Sequence, residues 1–414
     1  MGARGGSSSL LTIVVSVEVV KRPLVATALA VALGIGCVVV GPGVSGQARA
    51  SLLRVQEGST CGSWTVMSVG LLGSLSGVAT LSPSEAWAVG DQQPAGSEEY
   101  KPIAEHWNGT AWRVIPTAPL SSTDAVLGSV VELSATNVWA VGFFANSKTF
   151  RSLVEHWNGH NWSVVPSPNS GSGENILMGL AATSATDMWA VGTGQATPSS
   201  ARRTLVEHWN GHDWLVVRSP NSGSGDNLLQ GVSVNSRTDA WAVGDDRVSY
   251  GSTLALHWNG RTWAIVKTVN PGAGERFLFG VAARFKTQVL AVGSDLIAGD
   301  HTRALAERWN GSAWVQTPAP SPDADLDELH AVTATSSTNA WAVGYRRPTP
   351  SALFRTLVEH WNGSRWSLAA SPNPSSREDD LSGVAAIPGT GKFVAVGYAG
   401  GRTLVESYCP KATP

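Results

Sequence analysis

Apolar and polar positions along this chain alternate in short runs rather than recurring at helical spacing, and the runs come in sets of four. One set predicts strands over 179–182, 188–192, 205–209 and 214–217, with turn-forming residues between them. Asn210-Gly211 joins the last two as a hairpin, because that pair accepts positive φ at both turn positions. The same unit then recurs. Its marker Trp-Ala-Val-Gly begins at Trp87, Trp139, Trp189, Trp241 and Trp341, with degenerate copies at Leu290 and Val394, giving seven copies spaced 49 to 53 residues apart.

A second marker, His-Trp-Asn-Gly, surrounds Trp107, Trp157, Trp209, Trp258, Trp309 and Trp361, with Arg308 in place of His in the fifth copy. Each copy is followed by a further tryptophan: Trp112, Trp162, Trp214, Trp263, Trp314 and Trp366. With Trp64, these three repeat positions account for all 18 tryptophans, so none is set aside for a special site. A period of about 50 residues with four antiparallel strands per unit is that of propeller blades. The expected fold is all-β: a seven-bladed β-propeller with four antiparallel strands per blade.

The two ends of the repeat are halves of one unit. Residues 403–408 match a third strand, with Tyr408 in the tryptophan position, whereas 63–68 match a fourth strand. Pairing them completes the seventh blade and closes the ring, where a solenoid would need caps instead. That pairing sets Cys61 and Cys409 at the two ends of the missing hairpin, where they are expected to form a disulfide.

Residues 1–50 follow a different grammar. Lys21 and Arg22 precede an apolar run over 24–40, and Ala48-Arg49-Ala50 has the small-x-small form of a cleavage site. The segment reads as a signal peptide, with an uncleaved membrane anchor as the alternative, and 51–414 as the propeller. A secreted or cell-surface protein is expected, touching membrane only through this segment.

Composition removes several function classes. With 29 basic and 31 acidic residues and no basic run beyond the N-terminal segment, the chain has no electrostatic footprint for nucleic acid. It has no Gly-x-Ser-x-Gly elbow, His-Glu-x-x-His, Cys-x-x-Cys or phosphate-binding loop. Glu105-His106, Glu155-His156, Glu207-His208 and Glu359-His360 resemble acid–base pairs, but recurrence in blade after blade points to hydrogen bonding between strands.

Candidate binding residues lie where the copies differ. The variable loops open on one face and carry Tyr100, Phe143, Tyr250, Tyr345 and Tyr398, with Phe144 and Phe354, which suit sugar stacking or a protein interface. Asp124, Glu174, Asp226, Glu275, Asp323, Asp325, Asp327, Glu378, Asp379 and Asp380 precede the innermost strands as an acidic collar. Asp323, Asp325 and Asp327 are the candidate metal ligands; no cofactor is expected beyond calcium held there.

The chain resembles exported bacterial propellers with repeated Trp-Ala-Val-Gly and His-Trp-Asn-Gly motifs over residues 61 to 409. Its period is similar to that of kelch and galactose-oxidase-type propellers, although kelch Gly-Gly pairs are absent from its blades. A looser resemblance to tectonin-type propellers implies sugar binding. The expectation is a monomeric exported recognition module that binds a glycan or protein on the loop-rich face. The alternatives are a polysaccharide lyase or hydrolase, and a surface scaffold without a small ligand.

Overall fold

The structure is a computed structural model that describes residues 61–411 apart from 95, 96, 98, 123, 147, 148, 248–250, 271–273 and 298–300. The expected export segment and Tyr250 lie outside the described residues. Seven four-stranded antiparallel sheets follow one another as blades. Blades one to six span 74–115, 125–164, 175–216, 227–265, 276–316 and 326–369. The first strands of neighbouring blades touch in sequence around the axis, and that of blade seven touches that of blade one, so the ring is closed.

Closure follows the expected route. Asp379–Ala386, Phe393–Ala399 and Arg402–Tyr408 supply three strands of blade seven, and Trp64–Leu72 supplies the fourth by pairing with Arg402–Tyr408. Trp64 stands opposite Tyr408, as Trp214 stands opposite Trp209 inside blade three. Cys61 and Cys409 are disulfide-bonded across the seam, with Cα atoms 4.8 Å apart.

First strands are longer than the alternation suggests. In blade three the strand runs Asn175–Ser184, and a bulge between Leu177 and Gly179 breaks the inside–outside rhythm that marks 179–182. All seven blades share a bulge there, and it explains the glycine that ends the tetrad. A Cβ on Gly192 would collide with the Ile176 carbonyl oxygen, and the other six tetrad glycines meet the same obstruction. The close approach of two backbones, not a turn, requires glycine.

Side chains lock the blades to one another. Trp87, Trp139, Trp189 and Trp241 each press against two tryptophans of the next blade; for Trp189 the ring centroids lie 4.9 Å from Trp258 and 5.1 Å from Trp263. The third-strand glutamates do likewise. Glu207 accepts a hydrogen bond from Ser167, and Glu406 one from Ser371, both at 2.8 Å; Glu155 accepts one from the Ala118 N–H at 3.0 Å. Each of these donors follows the outer strand of the preceding blade.

Candidate functional site

The loop-rich face gathers connections from second to third strands and from fourth strands to the next blade. Arginines pair with several carboxylates of the expected acidic collar and with Asp295 of blade five. Arg202 pairs with Glu174 at 2.5 Å and with Asp226 at 3.3 Å, Arg276 with Asp295 at 2.6 Å, and Arg355 with Asp379 at 3.0 Å. Arg151 and Arg203 instead donate to loop carbonyls, for example to Gly171 and Gly223.

The three candidate metal ligands turn to separate partners. Asp323 meets Arg346 at 3.3 Å, while Asp325 meets Arg347 at 2.5 Å and His301 at 3.1 Å. Asp327 is fully buried, accepts the Asp323 N–H at 3.2 Å, and is pushed by burial to a pKa of about 7. Among the described residues no three His, Cys, Asp or Glu side chains gather so as to hold a metal ion.

The candidate aromatic residues divide by burial. Phe143 and Tyr345 are only 4% and 5% exposed, because the second strands of blades two and six, Asn137–Asn146 and Asn339–Arg347, run past the tetrad and carry them inside. Phe143 packs edge-on against Phe150 at 5.1 Å. Tyr100, Tyr398, Phe144 and Phe354 remain partly exposed. The backbone of Tyr100 is fixed by donation from its N–H to Asp124 at 3.0 Å.

A continuous row of rings crosses blades five and six, with an arginine at each end. The Arg247 guanidinium lies over Phe277 at 5.6 Å, Phe277 is parallel to Phe279 at 6.2 Å, and Phe279 meets His330 at 5.6 Å. His330 meets Tyr345 at 5.1 Å, Tyr345 meets Phe354 at 4.8 Å, and Arg347 covers Phe354 at 4.9 Å. Glu328 lies 3.7 Å from His330, too far for a hydrogen bond. Burial, then Glu328 and Asp380, push the Tyr345 hydroxyl well above its ordinary range, and burial does the same to Asp380.

Phe277, Phe279, His330, Arg346 and Arg347 were not singled out by the sequence reading. The signal was present as departure from the repeat. At the bulge position of the innermost strand the other blades carry Ser76, Gly128, Met178, Gln230 and Ser382, whereas blades five and six carry Phe279 and His330. The recurring histidines belong to the scaffold instead. His208 lies against Trp189 of its own blade, ring centroids 4.4 Å apart, and bonds Asp187 at 2.7 Å, and four other blades repeat the arrangement of rings.

No family model and no curated protein sequence matches the chain. Among solved structures it is similar to Ycf48 bound to a D1 peptide, with a TM-score of 0.53, 12% identity, and 87% of this chain and 99% of that one covered. It is also similar to the GH74 xyloglucanase from Xanthomonas campestris, with a TM-score of 0.54 and 14% identity over 83% of this chain. The chain spans 53% of that enzyme's length. At these identities the likeness shows the propeller fold.

Proposed function

We propose that the protein is an exported recognition module that binds a partner through the loop-rich face, centred on the row from Arg247 to Phe354. The observation that carries this reading is the row itself. Packing between blades is met by the repeated tryptophans and glutamates, so a set of rings and arginines confined to blades four to six answers to something other than architecture. The disulfide fits an oxidising, extracytoplasmic compartment. No helix among the described residues is long and apolar enough to cross a membrane.

Of the two partner classes, a protein segment is favoured over a glycan. Sugar stacking needs a bare ring face, and Phe143 and Tyr345 offer none. Arginines at the rim, with side chains 24% exposed at Arg247 and Arg347 and 32% at Arg346, present donors that suit carbonyls and carboxylates of an extended chain. Ycf48 with its peptide and the xyloglucanase make both ligand classes reasonable on such a ring.

A lyase or hydrolase is the second reading, since His330, Tyr345, Glu328 and Asp380 bring an acid–base set together. Their burial, and a tyrosine held protonated by it, set this cluster against proton abstraction by Tyr345. The test is to present the purified protein to peptide and glycan arrays beside a Phe354→Ala/Tyr398→Ala variant. Binding lost in the variant supports the loop-rich face. Equal binding by both removes it, and turnover of a polysaccharide that disappears in His330→Ala would move the assignment to the enzyme.

A further inference from the structure

The seams between blades follow a rule, and two seams depart from it. In blades one, two, three, four and six, the second-strand tryptophan is covered by the histidine of its own blade at 4.3 to 4.6 Å between ring centroids. The same indole meets the third-strand ring of the next blade at 4.5 to 5.1 Å, so an indole–imidazole pair fills each of these seams. Blade five substitutes Leu290 and Arg308, and Leu290 packs among Trp361 and Trp366 of blade six. Blade seven substitutes Val394, paired opposite Ser407, so both rings are missing there too, with a smaller side chain in their place.

The next blade keeps its half of the arrangement. Trp107 and Trp112 still face the seam, and between them and Val394 lies a pocket of about 200 Å³. Met67 and Tyr408 add apolar wall, Ser407 and Thr65 add hydroxyls, and among the described residues the lining holds one charged side chain, Lys392. Lys392 is exposed at the rim. The pocket lies beside Cys409 on the side of the short turns, away from the loop-rich face, so it is independent of the function proposed above.

We propose that this seam pocket is a binding site for a planar aromatic group that carries a negative charge. The ring enters the place of the missing indole–imidazole pair, against Trp107 and Trp112, and the anion meets Lys392. Its walls are those that hold an indole in five other seams, and apolar cavities of about 150 Å³ already accept a benzene ring. Residues 1–60 and 412–414 contain no Phe, Tyr, Trp or His to fill it. The ligand is a free aromatic carboxylate or an aromatic residue of a partner with an acidic group beside it.

The test titrates the exported protein with indole-3-acetate, with neutral indole, and with a tripeptide ending in tryptophan. Indole-3-acetate is expected to bind about tenfold more tightly than indole, and Lys392→Ala to erase that preference while leaving indole binding intact. Val394→Trp/Ser407→His restores the repeated pair and is expected to abolish binding of all three probes while raising the melting temperature. Should that variant fail to fold, Val394→Leu, which copies blade five, is expected to weaken binding about tenfold. Tighter binding of the tripeptide or of the free acid supports the site and names the source of its ligand. No binding of any probe by folded protein up to about 10 mM, or undiminished binding by a filled variant, overturns the proposal.

Discussion

The glutamate that recurs in the third strand carries a charge problem. Glu155, Glu207, Glu307, Glu359 and Glu406 are fully or almost fully buried, and burial raises their pKa values to about 7, 8, 7, 9 and 8. In the unfolded chain they ionise near 4.5. Between those limits the folded state holds protons that the unfolded state has released, so their contribution to stability is complete below about pH 4.5 and is lost as pH rises toward 9. Calorimetry is expected to give a higher melting temperature at about pH 5.5 than at about pH 9, and Glu207→Gln with Glu406→Gln to flatten that slope. An equal or opposite slope in the parent would mean that these carboxyls are not held neutral. The tetrad glycines are similarly strict: Gly192→Ala must displace the Ile176 carbonyl and is expected to destabilise blade three, read as a lower melting temperature. The role of Glu155 as a contact between strands was legible from its recurrence, but its partner was not: the Ala118 N–H lies 37 positions away, across a blade boundary.

At the scale of the element, each blade is a sheet, five of the seven carry a large indole on the second strand, and the seam is where it works. Trp189 is 2% exposed and meets two rings of blade four, so Trp189→Ala is expected to cost about 3–5 kcal/mol in chemical denaturation. A cost below about 1 kcal/mol would show that the indoles do not hold the seams. Strand identity was readable because alternation and turn signals repeat. Strand length was not, because the shared bulge interrupts alternation in the first strand and the second strand extends beyond its tetrad. That extension separates the expected from the observed candidate site. Tyr345 pairs with Glu328 and Thr356 inside blade six and lies within the sheet rather than on a loop. The arginine partners of Asp323 and Asp325 were equally hidden, since 23 and 22 residues separate each pair across the blade and no local spacing encodes them.

For the whole molecule, closure depends on one strand crossing from the N-terminal side and on one disulfide that fastens it. Cys61 and Cys409 are 348 residues apart, and closing so long a loop stabilises the folded state by on the order of 5 kcal/mol in the chain-entropy account. Cys61→Ser with Cys409→Ser is expected to lower the melting temperature by about 7 °C and to expose Trp64–Leu72 to protease first. Protection of that strand equal to that of the other blades would show that pairing with Arg402–Tyr408 is sufficient without the bond. The ring then presents two unlike faces, one of short repeated turns and one of variable loops rimmed by arginine–carboxylate pairs. Hydroxyl-radical footprinting of the protein with and without a captured partner tests the functional assignment most directly. Protection is expected at Tyr398, Phe354 and Phe277 on the loop-rich side, with the turn side unchanged. Protection confined to Trp107, Met67 and their neighbours on the turn side, with the loop-rich rings unaffected, would contradict it.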